Sequence, residues 1–582
     1  MSADPLRCLL IADFTIAGLG PFLTATADPP ALACTVAPFD LVVPVLLDGA
    51  AECWAPLPDL AIVWTQPHHA IKAFARLVGN EPATTAEILG EVDEFAGALR
   101  GAAKRVAALF VPTWTWPAFD RGLGVLNHDP RVGPAYHLLR MNARLADGVA
   151  EAGNIFVLDA GRWVALAGAA ASSPKLWHLG KIAFGPDVFK HAAADIKAGV
   201  RAARGASRKL VVLDLDETLW GGIVGDAGWE NVALGGHDPI GEAYVAFQRD
   251  LKALSRRGIV LAIVSKNTEA VALEAVDRHP EMVLRRDDFV GWRINWEDKA
   301  RNIIELVAGL NLGLESVVFI DDNPAERARV REALPQVAVP EWPRDPLLYS
   351  KALAELTGFD TTVISVEDRA RTGMYVADRR RDDLKQGMQS LEEYLRSLGL
   401  RVTWERLAAA NLPRATQLLN KTNQMNLTTR RLTEPAFLAW AEADGNHAIA
   451  FRVADRFGDY GLVGLASLTV DGETAEVVDF VLSCRVMGRG VESVMLHCLA
   501  TRARAAGADR LAATYRPTAR NVPCRGFFES QSGFVRAGEE PRYEWSLTTP
   551  YALPEHIALE EGDAQALPSD PGPSTRTEPT RA

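Results

Sequence analysis

Leu210-Val211-Val212-Leu213-Asp214-Leu215-Asp216-Glu217-Thr218 is the stretch on which the reading of this 582-residue chain turns. Four consecutive apolar residues read as a strand buried on both faces, as in a parallel sheet. Two carboxylates one residue apart at its end repel each other unless a cation lies between them. A magnesium ion meets that need, since a hard cation takes oxygen ligands. The alternative is a loop whose carboxylates cap a following helix, because acidic residues are favoured near helix starts.

Working outward, Ile259-Val260-Leu261-Ala262-Ile263-Val264 is a second such run and ends in Ser265-Lys266-Asn267. Ser316-Val317-Val318-Phe319-Ile320 is a third and ends in Asp321-Asp322-Asn323. Between them Tyr244, Phe247, Leu251 and Leu254 recur at helical spacing, as do Ile303, Ile304 and Leu306. Strands alternating with helices predict a parallel sheet whose ligands gather beyond the carboxyl ends of its strands. The three polar clusters should therefore meet on one edge.

Asp214 to Thr218, Ser265, Lys299 and Asp321-Asp322 resemble the ordered motifs of the haloacid dehalogenase (HAD) superfamily of phosphoryl-transfer enzymes. The longer phrase Leu219-Trp220-Gly221-Gly222-Ile223-Val224-Gly225-Asp226, with Ser265-Lys266-Asn267 and Phe319-Ile320-Asp321-Asp322-Asn323-Pro324, resembles more narrowly the FkbH-like branch. There a phosphatase-like domain is joined to an acyltransferase-like domain, and members load a glyceryl unit onto an acyl carrier protein. Glu217 departs from the pattern, which most often has Asn there. The resemblance implies that Asp214 attacks phosphorus, while Asp216 protonates the leaving oxygen and later activates water. It further implies Mg2+ held by Asp214, by the backbone carbonyl of Asp216, and by Asp321 or Asp322. Ser265 and Lys299 would meet the charge on the phosphoryl oxygens. Lys266 competes for the cationic role; Lys299 is preferred because it should open a helix. From Leu219 to about Gly241 there is no room for a substantial cap domain, which favours a phosphate on a protein-bound arm over a small free metabolite.

Beyond residue 361 the pattern changes. Val477 to Leu482, Arg485-Val486-Met487-Gly488-Arg489-Gly490, then Val491, Val494, Met495, Cys498 and Leu499 read as strand, glycine loop and helix. Amides at such a helix start can bind a phosphate, and the glycines let it approach. The loop resembles the coenzyme-binding loop of the GCN5-related N-acetyltransferase (GNAT) fold. Tyr515 to Asn521, Gly526 to Glu529 and Gly533-Phe534 resemble the closing elements of the same fold. Arg485, Gly488, Arg489 and Gly490 are the expected cofactor-binding residues. Cys484 stands at the loop mouth, where a thiolate beside a helix start and an arginine is favoured; it is the candidate acyl-carrying thiol, against the alternative that a buried cysteine fills space. Cys498 reads as packing and Cys524, in a polar loop, as a weaker second thiol. Asn420 to Asn426 could shape an acyl pocket, and Asp455 to Gly461 reads as a hairpin turn.

The first two hundred residues carry strand-like runs at Cys8–Ala12, Leu41–Val45, Ala61–Trp64, Ala107–Val111 and Ile155–Leu158. They predict a three-layer α/β domain, flavodoxin-like or a degenerate relative of the SGNH-hydrolase fold. Asp13-Phe14-Thr15 stands where such a hydrolase has its nucleophilic serine, and His178 is the suggestive late histidine; a catalytic role is not assigned. The expected division is residues 1–205, an HAD-like domain at 206–360, a GNAT-like domain at 361–550 and a disordered tail at 551–582, since this length exceeds one core. Linkers are expected at Arg201 to Lys209 and Pro340 to Arg371, and Arg379-Arg380-Arg381 among aspartates should be a solvated helix face.

A net charge of −12 and six scattered cysteines exclude broad nucleic-acid binding and a disulfide framework. With no leader-like start and no long apolar run, the expectation is a soluble, cytoplasmic protein away from membranes. The expected function is a glyceryltransferase and phosphatase that uses a phosphoglyceryl donor such as 1,3-bisphosphoglycerate and an acyl carrier protein, whose acidic surface would meet arginines such as Arg485, Arg489, Arg516, Arg520 and Arg525. The rivals are a plain magnesium phosphatase for a small metabolite and a non-catalytic docking module.

Overall fold

A computed structural model describes residues 5–562 except 118, 311, 365, 387, 389, 423, 519, 520 and 539; for 366, 367, 382, 383, 386, 421 and 484 it describes the backbone alone. Arg520 and residues 563–582 therefore lie outside the described residues. The chain divides into two compact units, Met1–Thr372 and Gly373–Ala582.

The first unit contains two parallel sheets. The first is built from β1 (Leu6–Ala12), β2 (Leu32–Val36), β3 (Leu60–Trp64), β4 (Ala108–Pro112) and β5 (Ile155–Leu158), in the order β2-β1-β3-β4-β5. That order reverses between β1 and β3, as in flavodoxin-like doubly wound sheets. Alternation along β1 shows how both faces are buried. Leu9 and Ile11 pack with Phe74 and Phe95 on one side, while Cys8 and Leu10 pack with Trp64, Trp163 and Phe189 on the other. The run Leu41 to Val45 is not a strand: Val42–Leu47 is a helix. Pro44, which lacks an amide hydrogen, is tolerated in its first turn. The edge strand in that region is β2, missed because its burial is partial.

The second sheet has the order β8-β7-β6-β9, all parallel, from β6 (Leu210–Leu213), β7 (Val260–Ser265), β8 (Phe289–Ile294) and β9 (Val317–Ile320). Helices Pro239–Arg256 and Lys299–Gly309 follow the expected periodicity, although Ile304 is exposed. The first expected linker is partly helical, since Pro186–Ala203 is one helix. The second is not a linker through most of its length. Trp342, Tyr349, Leu353 and Phe359 are buried in the core of this sheet, and each such side chain gains roughly 1.5–3 kcal/mol from leaving water.

The second unit is one mixed sheet, β16-β17-β15-β14-β13-β12-β10-β18, with β11 also pairing with β14. Its strands are β10 (Leu400–Arg406), β11 (Met425–Asn426), β12 (Asn446–Asp455), β13 (Gly458–Asp471), β14 (Thr474–Leu482), β15 (Arg510–Thr514), β16 (Val535–Arg536), β17 (Arg542–Ser546) and β18 (Ile557–Glu561). Arg456 and Phe457 turn the hairpin between β12 and β13. The first half of β14 pairs in parallel with β15, and its end pairs with β11. Three expectations are corrected here. β18 lies inside the supposed tail and pairs with β10. Cys524 is in the helix Val522–Ser530, fully buried, and not in a polar loop. Arg381 is not solvated: it is buried and its guanidinium forms two bonds, 2.6 and 2.8 Å, to the buried Asp455 carboxylate.

Candidate active site

Strand registers assemble the first site. Leu213 lies beside Ile320, so the residues that follow, Asp214 and Asp321, leave the sheet together. The Asp214 amide donates to the Ile320 carbonyl at 3.0 Å. On the other side of β6, Ile263 pairs with Leu213, which carries the buried Ser265 to the same edge. β8 then delivers the chain to Asp298, whose carboxylate caps the helix beginning at Lys299 by accepting from Arg301 N–H.

Lys299 is almost fully buried and its ammonium lies 3.0 Å from Asp214 Oδ1 and 2.6 Å from Asp321 Oδ2. The contact to Asp321 is also a hydrogen bond. The contact to Asp214 is ionic only, its alignment being too poor for a hydrogen bond, and leaves Asp214 Oδ1 buried without a hydrogen-bonding partner. Lys266 is engaged elsewhere, with Glu326 at 2.6 Å.

Oxygens of Asp214, Asp321 and Asp322 lie within 4.8 Å of one another. Burial pushes the Asp321 carboxyl up to about 6, the neighbouring Asp214 charge adds to that, and Lys299 opposes it. Burial and Asp214 also raise Asp322. Three crowded carboxylates, one with an oxygen left without a hydrogen-bonding partner, are not balanced by one ammonium. The donor set fits a hard divalent cation.

Asp216 is not part of that carboxylate cluster. Its Oδ1 accepts from Trp220 Nε1 at 2.9 Å and from the Val224 amide at 3.0 Å, and its Oδ2 accepts from Asn267 Nδ2 at 2.9 Å. Burial raises its pKa, with these donors opposing. A carboxyl held this way is fixed in direction and inclined to carry a proton, which suits a general acid. Sequence reasoning gave no role to three supporting residues. Asn267 orients Asp216, Thr218 Oγ1 accepts from the Asp322 amide at 3.2 Å, and Arg327 donates to the Asp321 and Asp322 carbonyls at 2.8 and 2.6 Å. Only Asn267 and Thr218, inside the motifs, could have been found from the sequence.

Between Leu219 and Pro239 the chain makes one turn of α-helix (Val224–Ala227) and one tighter helical turn (Trp229–Asn231), so no cap domain is inserted there.

In the second unit the strand, loop and helix form as expected, with the helix at Val491–Ala505. The loop residues are engaged within the unit. Gly488 N–H donates to Glu492 Oε1 at 2.6 Å. The Arg489 guanidinium donates to Tyr460 Oη, and Arg485 contacts the Met374 sulfur at 3.1 Å. A Cβ at Gly490, whose φ is +88°, would lie 3.1 Å from the His556 ring. Glu492 itself is buried, which raises its carboxyl. The side chain of Cys484 lies outside the described residues. Cys498 and Cys524 are buried thiols pushed up to about 12, unsuited to act as thiolates.

No protein-family model matches the chain, and no curated protein does. Among solved structures it is similar to the N-terminal part of the protein BF1531 from Bacteroides fragilis, which contains a phosphatase domain and is complexed with Mg. Identity is 29%, the TM-score is 0.57, and the match covers 62% of this chain and 96% of that one. The ribosomal-protein-S18-alanine N-acetyltransferase from Escherichia coli matches 25% of this chain and 90% of its own at 17% identity and a TM-score of 0.19. Spermidine N-acetyltransferase from Vibrio cholerae, in complex with CoA and spermine, matches 26% and 97% at 15% identity and a TM-score of 0.20.

Proposed function

We propose that the chain is a magnesium-dependent phosphatase of the HAD type, FkbH-like, coupled to acyl transfer: it loads a glyceryl unit from a phosphoglyceryl donor such as 1,3-bisphosphoglycerate onto an acyl carrier protein. The observation that carries the reading is Lys299 lodged between Asp214 and Asp321 with Asp216 held to one side. The likeness to a magnesium-bound phosphatase structure supports it.

Asp214, Asp321 and Asp322 would hold the ion, which supplies positive charge for the phosphoryl oxygens. Asp214 attacks phosphorus as the bond to the leaving oxygen breaks, and Asp216 gives that oxygen its proton. Asp216 then takes a proton from water, which displaces Asp214 and releases phosphate. Lys299 and Ser265 meet charge on the transferring group. The lack of an inserted cap between Leu219 and Pro239 suits a phosphate carried on a large partner. Acyl transfer is assigned to the second unit. The Cys484 sulfur forms a bond to the acyl carbon of the donor as its C–O bond to phosphate breaks and phosphate leaves. The carrier's pantetheine thiol then takes the acyl group and frees Cys484 as the thiol, and Arg485, Gly488, Arg489 and Gly490 shape the loop at its side.

The test combines protein, Mg2+, 1,3-bisphosphoglycerate and holo carrier protein, then weighs the carrier. A glyceryl mass on the carrier, lost in Cys484→Ala, is the expected result. An unmodified carrier with continued phosphate release would refute the transfer step and leave the plain phosphatase. That second reading is favoured by one observation, the engagement of Gly488 by Glu492.

A further inference from the structure

The first sheet brings together two cysteines that lie well apart in sequence. Cys8 on β1 and Cys34 on β2 are register partners in parallel strands. Register partners point to the same face, and here both side chains pack into the core beneath the helix Pro186–Ala203. Neighbouring strands run about 4.8 Å apart, inside the roughly 4.4–6.8 Å of Cα separation that a disulfide spans. The two side chains hydrogen-bond to each other, and both thiols are free. Nothing in the phosphatase or acyl-transfer chemistry uses them.

The pair is asymmetric. Cys8 is on an inner strand and fully buried, and burial raises its pKa. Cys34 is on the edge strand and partly exposed. The hydrogen bond from Cys8 lowers the Cys34 pKa, burial opposes this, and Lys197 adds to the lowering.

Lys197 is an unusual neighbour for a thiol. It is 1% exposed, and its ammonium donates to the Ala25 and Asp28 carbonyls at 2.7 and 2.6 Å. Neither acceptor is charged, and the Asp28 carboxylate is bound to Arg201 at 3.0 Å. A buried charge is costly unless it is paired. The Cys34 sulfur lies within the field of this ammonium, and as a thiolate it supplies a counter-charge. A partly exposed thiolate with a second thiol beside it is the arrangement that hydroperoxides oxidise reversibly.

We propose that Cys34 and Cys8 form a hydroperoxide-reactive dithiol, with Cys34 as the attacking thiolate, Lys197 as its buried counter-charge and Cys8 as the resolving thiol. The Cys34 sulfur bonds to one peroxide oxygen as the O–O bond breaks; the departing oxygen takes a proton from water, and Cys34 is left as a sulfenic acid. Cys8 then loses its proton and bonds to the Cys34 sulfur as the S–O bond breaks, and the hydroxide leaves with that proton as water. Two electrons pass from the sulfurs to the peroxide, and a disulfide joins β1 to β2. None of this rests on the phosphatase reading.

The test treats the reduced full chain with hydrogen peroxide, alkylates the remaining thiols and maps chymotryptic peptides, since cleavage after Phe14 and Phe22 separates the two cysteines. A Cys8–Cys34 disulfide that dithiothreitol reverses is expected. In Cys8→Ser, dimedone should label Cys34 instead; in Cys34→Ala, Cys8 should stay reduced. The pH profile of Cys34 alkylation by iodoacetamide should have its midpoint below the ordinary thiol value of about 8.5. Lys197→Met should raise that midpoint and slow oxidation at pH 7 roughly threefold or more. Circular dichroism and thermal melts report whether each variant folds, and Cys8→Ser retains a readout if Lys197→Met does not fold. No cross-link in the folded wild type, no dimedone label in Cys8→Ser, or an unchanged midpoint in folded Lys197→Met overturns the proposal.

Discussion

Asp214→Asn should end phosphate release while leaving the metal-free protein as stable as before or slightly more so. Its oxygens lie within 4.8 Å of those of Asp321 and Asp322. At an effective dielectric of about 20, each of those repulsions is worth roughly 3.5 kcal/mol, about 7 together. The attraction lost is that to Lys299 at 3.0 Å, roughly 5.5 kcal/mol on the same scale. The difference, about 1–2 kcal/mol, favours the variant without metal. With Mg2+ the order reverses. A ligand at a hundred times its dissociation constant stabilises the wild type by about 2.7 kcal/mol, and the variant should lose most of that. The assay is thermal unfolding of both proteins in chelator and in a Mg2+ series, alongside phosphate release. A variant that keeps the full Mg2+-dependent shift, or that is several kcal/mol less stable in chelator, refutes the carboxylate-crowding argument; full turnover removes Asp214 from the chemistry.

Other perturbations separate the remaining claims. Burial pushes the Asp13 carboxyl from 3.8 to about 7, so the folded state keeps a proton that the unfolded state releases between about pH 4 and 7. The stability contribution of Asp13 therefore falls as pH rises through that window, by roughly 4 kcal/mol at most; Asp13→Asn should flatten this slope in urea denaturation at pH 5 and 8, and an unchanged slope would exclude Asp13 as its source. Arg381→Met leaves the buried Asp455 carboxylate without its guanidinium and should cost about 3–5 kcal/mol by chemical denaturation, with part recovered when Asp455 is also made apolar. On the role proposed for the loop, Glu492→Ala frees the Gly488 amide and should strengthen binding of the holo carrier protein about tenfold or more in calorimetry, the value of one charge-assisted bond; a wild type that binds the carrier as tightly as the variant refutes the competition.

What the sequence disclosed depended on whether the signal was local. β6, β7 and β9 were legible because each is an apolar run ending in polar residues, and parallel order through helical crossovers leaves their ends on one edge. The convergence of Asp214, Asp321 and Lys299 follows from that order. β8 was not legible, since Gly291 and Arg293 interrupt its pattern. Arg381 could not be read at all: its neighbours in sequence are aspartates, which predict solvent, and the partner that draws it inward is on β12. Glu492 was within reach, as an acidic residue two positions after a loop expected to bind a phosphate is a local conflict. His178, the late histidine, was given no catalytic role, and the imidazole that the structure brings toward Asp13 is that of His69, just after β3.

The segment read as a linker also braces the loop that carries the departure from the motif. Glu217 has φ of +55°, a left-handed conformation that Asn tolerates better than Glu. Its side chain offsets part of that cost with one bond to the loop, and its backbone carbonyl, which any residue would present, is held separately. The Glu217 carboxylate accepts from Gly222 N–H at 2.8 Å, and its carbonyl accepts from Tyr349 Oη at 2.9 Å. Tyr349 comes from the supposed linker and is held by Trp342, Phe247 and Tyr244 in one aromatic cluster. The loop that carries Asp214 and Asp216 is thus braced from residues more than a hundred positions later. The burial of 342–359 thus steadies the motif loop through a backbone carbonyl, whichever residue stands at 217.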